Sequence, residues 1–152
     1  MASRGSIVVE VDAKSSGEEM WKILGDPITN FPKILPDSYK SIQVIQGSSF
    51  APGTVALVTY GEGFPTKTAT EKIVSVSEDE PNKGYSYTVI GGMEELYKAF
   101  DGTFTVIPKV QGCTVKFSCQ YIKTNKDIPN PTLIVDFKIK NFVDIDAYLQ
   151  NN

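Results

Sequence analysis

The segment TLIVDFKIKNFVDIDAYLQ, residues 132–150, constrains the fold more than any other stretch of the chain. It contains neither proline nor glycine and reads as one helix of about five turns. Its apolar residues spread beyond a single stripe: Val135, Ile139, Phe142 and Leu149 fall on one side, and Ile134, Phe137 and Ile145, with the polar Asn141 among them, on the adjacent one. A helix apolar over so wide an arc has to be covered from more than one direction. The remaining elements must therefore include a surface that curves.

The rest of the chain supplies one. Residues 6–14 alternate as a strand, and six further segments carry the same period of two: 39–46, 54–60, 67–77, 84–91, 97–107 and 113–124. The turn-rich stretches GSSFAPG, GEGFP, EDEPNK and PKVQG separate them at hairpin length, which predicts a mostly antiparallel meander. Between the first strand and the second, SSGEEMWKILGDP reads as a helix with Ser15 or Ser16 as N-cap, stopped at Gly25–Pro27. ITNFPKILPD reads as a second short helix that begins at Pro32 and closes at Pro36. The order is strand, two short helices, six strands, one long helix: an α+β chain whose sheet is large enough to wrap the helix. The 152 residues suit one domain with one core.

Charge and composition narrow the function classes. A formal net charge of −3 gives no electrostatic grip on nucleic acid or anionic lipid. The apolar runs are too short to span a membrane, and Ala2 stands where N-myristoylation needs glycine, so a cytoplasmic location is expected. The chain has no histidine, which removes Ser-His-Asp and Cys-His machinery and imidazole-held metal. No metal or cofactor is expected, and acid–base chemistry is left to Lys, Tyr, Asp and Glu. Cys113 and Cys119 lie about 20 Å apart along one strand, beyond disulfide reach, and are expected as reduced thiols.

One strand poses a sharper question. In KGYSYTVIGG, residues 83–92, Tyr85, Tyr87 and Val89 share a face. A tight interior rarely takes two phenols, because each buried hydroxyl needs a partner. The wall of a cavity, apolar with a few polar handles, accommodates them.

Taken in order, NFPKILPD, GSSFAPGT, GEGFP, YSYTVIGG, CTVKFSCQY and a C-terminal helix ending DAYLQ resemble the Bet v I type superfamily, which includes the pathogenesis-related class 10 proteins. FPKILPDSYKSIQVIQG and PNPTLIVDFKIKNFVDIDAYL are most similar to its major latex protein-like branch, and the resemblance runs from about residue 5 to 150. It implies a plant protein linked to defence, with a helix-grip (START-like) fold: a seven-stranded antiparallel sheet around the long helix, two short helices in a V, and a large internal cavity. Relatives use that cavity for sterols, flavonoids, cytokinins, fatty acids and other amphipathic metabolites, and residues matching Tyr85 and Tyr87 line it. Two departures stand out. QGSSFAPG replaces a glycine-rich loop likened to a phosphate-binding one, which counts against a nucleotide site. An aromatic pair of the birch-pollen allergen falls on Thr66 and Thr68, implying a wider pocket with two added hydroxyls.

Strand parity, with the resemblance choosing the face, assigns the expected ligand-contacting set. Ala56, Val58 and Tyr60 come from the third strand, and Tyr85, Tyr87 and Val89 from the fifth. Phe100, Gly102, Phe104 and Val106 come from the sixth; Val115, Phe117, Cys119 and Tyr121 from the seventh. Ile134, Phe137, Asn141 and Ile145 face them from the helix, with Thr66 and Thr68 at one end and Phe31 as a plug or gate. A solid core is the competing reading, and the polar tips of Tyr60, Tyr85, Tyr87, Tyr121 and Asn141 weigh against dry packing. Lys98 shares parity with Phe100: it either snorkels to the rim or points inward as a depressed-pKa amine. Cys119, without a histidine or adjacent cation, reads as an inert thiol.

The expected function is an intracellular carrier or buffer of small amphipathic metabolites, a monomer or weak dimer, with no nucleic-acid partner and no membrane insertion. The alternative is a cofactor-free enzyme of specialised metabolism that cyclises, condenses or isomerises a reactive terpenoid or alkaloid intermediate, using Tyr85, Tyr87, Tyr121 and Lys98 as acid–base groups. A ribonuclease, proposed for class 10 relatives, is a third reading that the acidic, histidine-free chain disfavours.

Overall fold

A computed structural model describes residues 3–79 and 81–152. Seven strands, β1 (Arg4–Ala13), β2 (Tyr39–Gln46), β3 (Val55–Tyr60), β4 (Thr68–Ser77), β5 (Lys83–Gly91), β6 (Tyr97–Pro108) and β7 (Cys113–Lys123), form one antiparallel sheet in the order β1-β7-β6-β5-β4-β3-β2. The meander runs unbroken from β2 to β7, and β1 closes onto β7. Between the two edge strands the chain crosses the sheet through α1 (Gly17–Leu24) and α2 (Pro27–Ile34). The long helix α3 (Thr132–Gln150) has the predicted bounds and buries Ile134, Val135, Phe137, Lys138, Asn141, Phe142 and Ile145. Both of its apolar stripes are covered, as its sequence required. No described helix is long and apolar enough to cross a membrane.

Helix α1 starts as its sequence dictates. Ser16 accepts from the Glu19 N–H while the Glu19 carboxylate accepts from the Ser16 N–H, a reciprocal capping box. The second helix differs from the sequence expectation. It begins at Pro27 under an Asp26 cap whose carboxylate accepts from the Thr29 N–H, and Pro32 lies inside it. The GDP stretch therefore ends one helix and starts the next: proline suits a first helical position, where its missing N–H would have been unpaired anyway.

Bulges bend four strands: β2 after Tyr39 and Val44, β4 after Ile73, β5 at Ile90, and β6 between Tyr97 and Ala99. The β6 bulge decides between the two readings of Lys98. It resets the alternation, so that Tyr97 and Phe100, three residues apart, are both buried, while Lys98 is exposed. Lys98 does not point inward.

The loop from β1 to α1 is tied to α3 by one carboxylate. Asp146 accepts from the Ser15 hydroxyl at 2.6 Å, the Ser15 N–H at 2.9 Å and the Lys14 N–H at 3.0 Å. Burial works to raise its pKa, but the Ser15 hydroxyl and the two N–H groups outweigh it and hold the carboxyl below its ordinary value. Asp146→Ala strands the donors of the buried Ser15 and is expected to cost about 2–3 kcal/mol in urea unfolding at neutral pH. Because the native pKa is lowered, this contribution is complete above the unfolded value near 3.9 and disappears as pH falls through the native one. Wild type and variant should therefore converge in acid.

Candidate functional site

Two inward tyrosines, Tyr87 of β5 and Tyr121 of β7, are accommodated by glycines on the strands beside them. Tyr87 pairs with Gly102 across β5 and β6, and a β-carbon at 102 would fall 2.5 Å from the Tyr87 ring. Tyr121 pairs with Gly5 across β7 and β1 in the same way. The rings lie along the inner face of the sheet over positions that have no side chain to displace.

Beneath α2 and the β2–β3 loop lies a cavity of about 30 Å³. Pro27, Ile28 and Phe31 of α2 and Phe50 and Thr54 of the loop segment border it. Tyr39 and Ile42 of β2, Ala56 and Val58 of β3, Glu71 and Ile73 of β4, Tyr85 of β5 and Lys138 of α3 complete the wall. At that volume it holds about two waters, so the large internal cavity implied by the resemblance is corrected. Aromatic rings fill the expected hollow. Phe64 stacks on Tyr60 at 3.6 Å between centroids, Phe137 packs edge-on against both, and Phe50 packs edge-on against Tyr85 at 4.7 Å.

The expected residues separate accordingly. Phe31, Val58 and Tyr85 line the cavity. Tyr60, Tyr87, Phe104, Phe117, Cys119, Ile134, Phe137, Asn141 and Ile145 are buried around it as packing. Thr66 and Thr68 do not widen it: the Thr66 hydroxyl donates to the Thr68 carbonyl at 3.0 Å, and Phe64 takes the space. Val89 and Phe100 border a separate hollow with Lys98, and Tyr121 borders a surface depression beside Arg4 and Gly5. Those residues do not border the cavity beneath α2. The Cys119 thiol is pushed up to about 11 by burial, consistent with inertness.

The charged residues of the wall are ones the sequence reading passed over. Lys138 is only 4 % exposed. Its Nζ donates to Tyr39 Oη at 3.3 Å and sits 5.3–6.0 Å from the ring centres of Tyr39, Tyr87, Phe104, Phe117 and Phe137. Asn141 Nδ2 donates to the same Tyr39 oxygen at 2.9 Å, and Asn141 Oδ1 is buried without a partner among the described residues. Across the cavity Glu71 accepts from the Tyr60 hydroxyl at 2.9 Å. No ion pair joins Glu71 to Lys138; the described residues form ion pairs only at Lys109–Asp12 and Lys140–Asp144.

Burial sets the electrostatics. It raises the Glu71 pKa, with Lys138 and Tyr60 pulling it back, and it lowers that of Lys138, with Glu71 opposing. Each group is displaced toward its neutral form. Burial, reinforced by the nearby Glu71 charge, lifts the phenols of Tyr39, Tyr60, Tyr85 and Tyr87 well above their ordinary value, so all four remain hydroxyls at physiological pH.

A sequence signal for both residues exists. Lys138 follows Ile134 by four and precedes Asn141 by three, which places it on the inward stripe. Glu71 lies between Ala69 and Ile73 in strand alternation, on the face that both of them bury.

Comparison with known proteins matches this architecture. The model of the pathogenesis-related protein Bet v 1 family covers residues 2–152. MLP-like protein 423 of Arabidopsis thaliana is 49% identical over 151 residues, covering 98% of this chain and 96% of that protein. The crystal structure of ginseng major latex-like protein 151 from Panax ginseng superposes with a TM-score of 0.86 at 26% identity, over 95% of this chain and 97% of that one. Norcoclaurine synthase from Thalictrum flavum shares the fold at 19% identity, with a TM-score of 0.73 over 99% of this chain and 89% of that one. Element order, sheet closure and full-length similarity agree: the chain belongs to the pathogenesis-related protein Bet v 1 family.

Proposed function

We propose that the protein binds amphipathic small molecules between the sheet and α3, as a carrier or buffer of plant metabolites. The observation that carries this reading is the chemistry of the cavity wall: apolar and aromatic over most of its area, with Glu71, Lys138, Tyr39 and Tyr85 converging on one space. A metabolite needs far more room than 30 Å³. Binding therefore requires Phe50 and Ile28, beside the β2–β3 loop and α2, to move aside. Apolar surface buried in this way contributes on the order of 25 cal/mol per Å², less the cost of that rearrangement.

Among the described residues, no protein group hydrogen-bonds the Tyr85 or Tyr87 hydroxyl, whereas Tyr39 and Tyr60 are engaged. The free pair is available to a ligand's polar atoms. Native mass spectrometry after incubation with a plant metabolite extract should show a compound retained stoichiometrically and released unchanged. The Tyr85→Phe/Tyr87→Phe variant should hold that compound roughly 3- to 10-fold more weakly, the equivalent of about one hydrogen bond. An unchanged affinity would remove these hydroxyls from recognition, and a protein that retains nothing would remove the binding reading itself.

A further inference from the structure

A lysine that packing alone would replace with methionine or leucine sits at the focus of five aromatic rings, on the wall of the cavity, with no carboxylate paired to it. Burying such an amine is expensive unless it is paired or neutral. The loss of charge that burial favours also frees the nitrogen lone pair. A phenol and a carboxyl lie on the same wall: Tyr39, with its oxygen 3.3 Å from Nζ, and Glu71. An amine, a phenol and a carboxyl in an apolar enclosure are the parts that addition to a carbonyl requires.

We propose that Lys138 captures apolar aldehydes covalently, as an imine, within the cavity. The inference rests on the cavity being a ligand site and adds the reacting class and the residue. The Lys138 lone pair adds to the carbonyl carbon, forming a C–N bond and moving the C=O π pair onto oxygen. Tyr39 passes the surplus proton from nitrogen to that oxygen, leaving a neutral carbinolamine. The Glu71 carboxyl then protonates the hydroxyl, the C–O bond breaks, and water leaves. The product is an iminium with the Glu71 carboxylate as its counter-charge. No electrons enter or leave the system. Aldehydes are favoured over ketones because a carbonyl carbon bearing a hydrogen is less hindered to approach by an Nζ enclosed among five rings. Aromatic bodies are favoured because the surrounding rings offer faces and edges to them.

The test incubates the full-length protein at neutral pH with benzaldehyde and sodium cyanoborohydride, which fixes an imine as a stable benzylamine, and maps the adduct by peptide mass spectrometry. One adduct per chain on Lys138, ahead of the solvent-exposed lysines, is the expected result. It should be lost in Lys138→Met and in Lys138→Arg, and its yield should fall in Glu71→Gln, with folding of each variant confirmed by thermal melting. Benzyl alcohol, which cannot form an imine, reports cavity binding separately by saturation-transfer NMR. Alcohol bound but no Lys138 adduct overturns the covalent proposal and leaves the binding reading intact. Neither compound entering overturns both. An adduct spread over the exposed lysines, with Lys138 unmodified, also overturns the proposal.

Discussion

Phe104→Ala is expected to destabilise the fold by about 3–5 kcal/mol, with a clear fall in the urea midpoint. Phe104 is 2 % exposed and packs its ring against Tyr85, Phe117 and Phe142 at centroid distances of 4.9, 5.0 and 5.6 Å. It is also the ring nearest the Lys138 nitrogen, at 5.3 Å. Truncation therefore removes contacts to β5, β7 and α3 together and leaves a void that the sheet cannot close without bending. The same void adjoins the aromatic wall of the site. Benzyl alcohol should bind the variant more tightly than wild type, and its binding should recover part of the lost stability in proportion to occupancy. A small loss of stability, below about 1 kcal/mol, would mean that the surrounding rings collapse into the space.

The double variant Lys138→Met/Glu71→Gln is expected to move stability in the opposite direction. Lys138 is buried and Glu71 half-buried, so exchanging them for neutral side chains of similar volume removes a desolvation penalty and is expected to stabilise by about 1–2 kcal/mol. At this chain length each kcal/mol corresponds to roughly 2–4 °C in melting temperature. Lys138→Met alone should gain less, since Glu71 then loses the positive field that offsets its burial. The pair is thus read as groups held against the fold's preference. If the double variant melted lower than wild type, Lys138 and Glu71 would instead be structural, with the Tyr39 and Tyr60 hydrogen bonds outweighing their desolvation.

The architecture was legible because its signals are local and repeated. Period-two alternation located every strand to within two residues, and the absence of helix breakers fixed α3. The errors arose where one residue admits two local roles. Pro27 stops one pattern and starts another, so α2 was displaced toward Pro32. A single bulge between Tyr97 and Ala99 breaks the parity that Lys98 shares with Phe100, which alternation alone left open between rim and interior. The site was only half legible. Alternation names the faces, and Val58 and Tyr85 follow from it once the resemblance chooses the face. The ranking of residues by apolarity hid Glu71 and Lys138, although their positions obey the same periods as their buried neighbours. Cavity size was not legible at all, because it depends on which rotamers Phe50, Phe64 and Phe137 adopt in three dimensions.

The pairing of β1 with β7 also has a kinetic consequence. Ala13 meets Cys113 and Arg4 meets Ile122, so the first of the seven strands finds its neighbour only about a hundred residues further along the chain. The hairpins from β2 to β7 close short loops and can form early, whereas closing the sheet waits for the most distant contact in the chain. Until then β1 and the exposed edge of β7 are both unpaired, and the nascent chain carries two open strand edges toward the crowded cell. The step that completes the sheet covers the β7 edge and leaves β1 as an edge strand, so a slower step lengthens the time for which that inner edge is open to another chain.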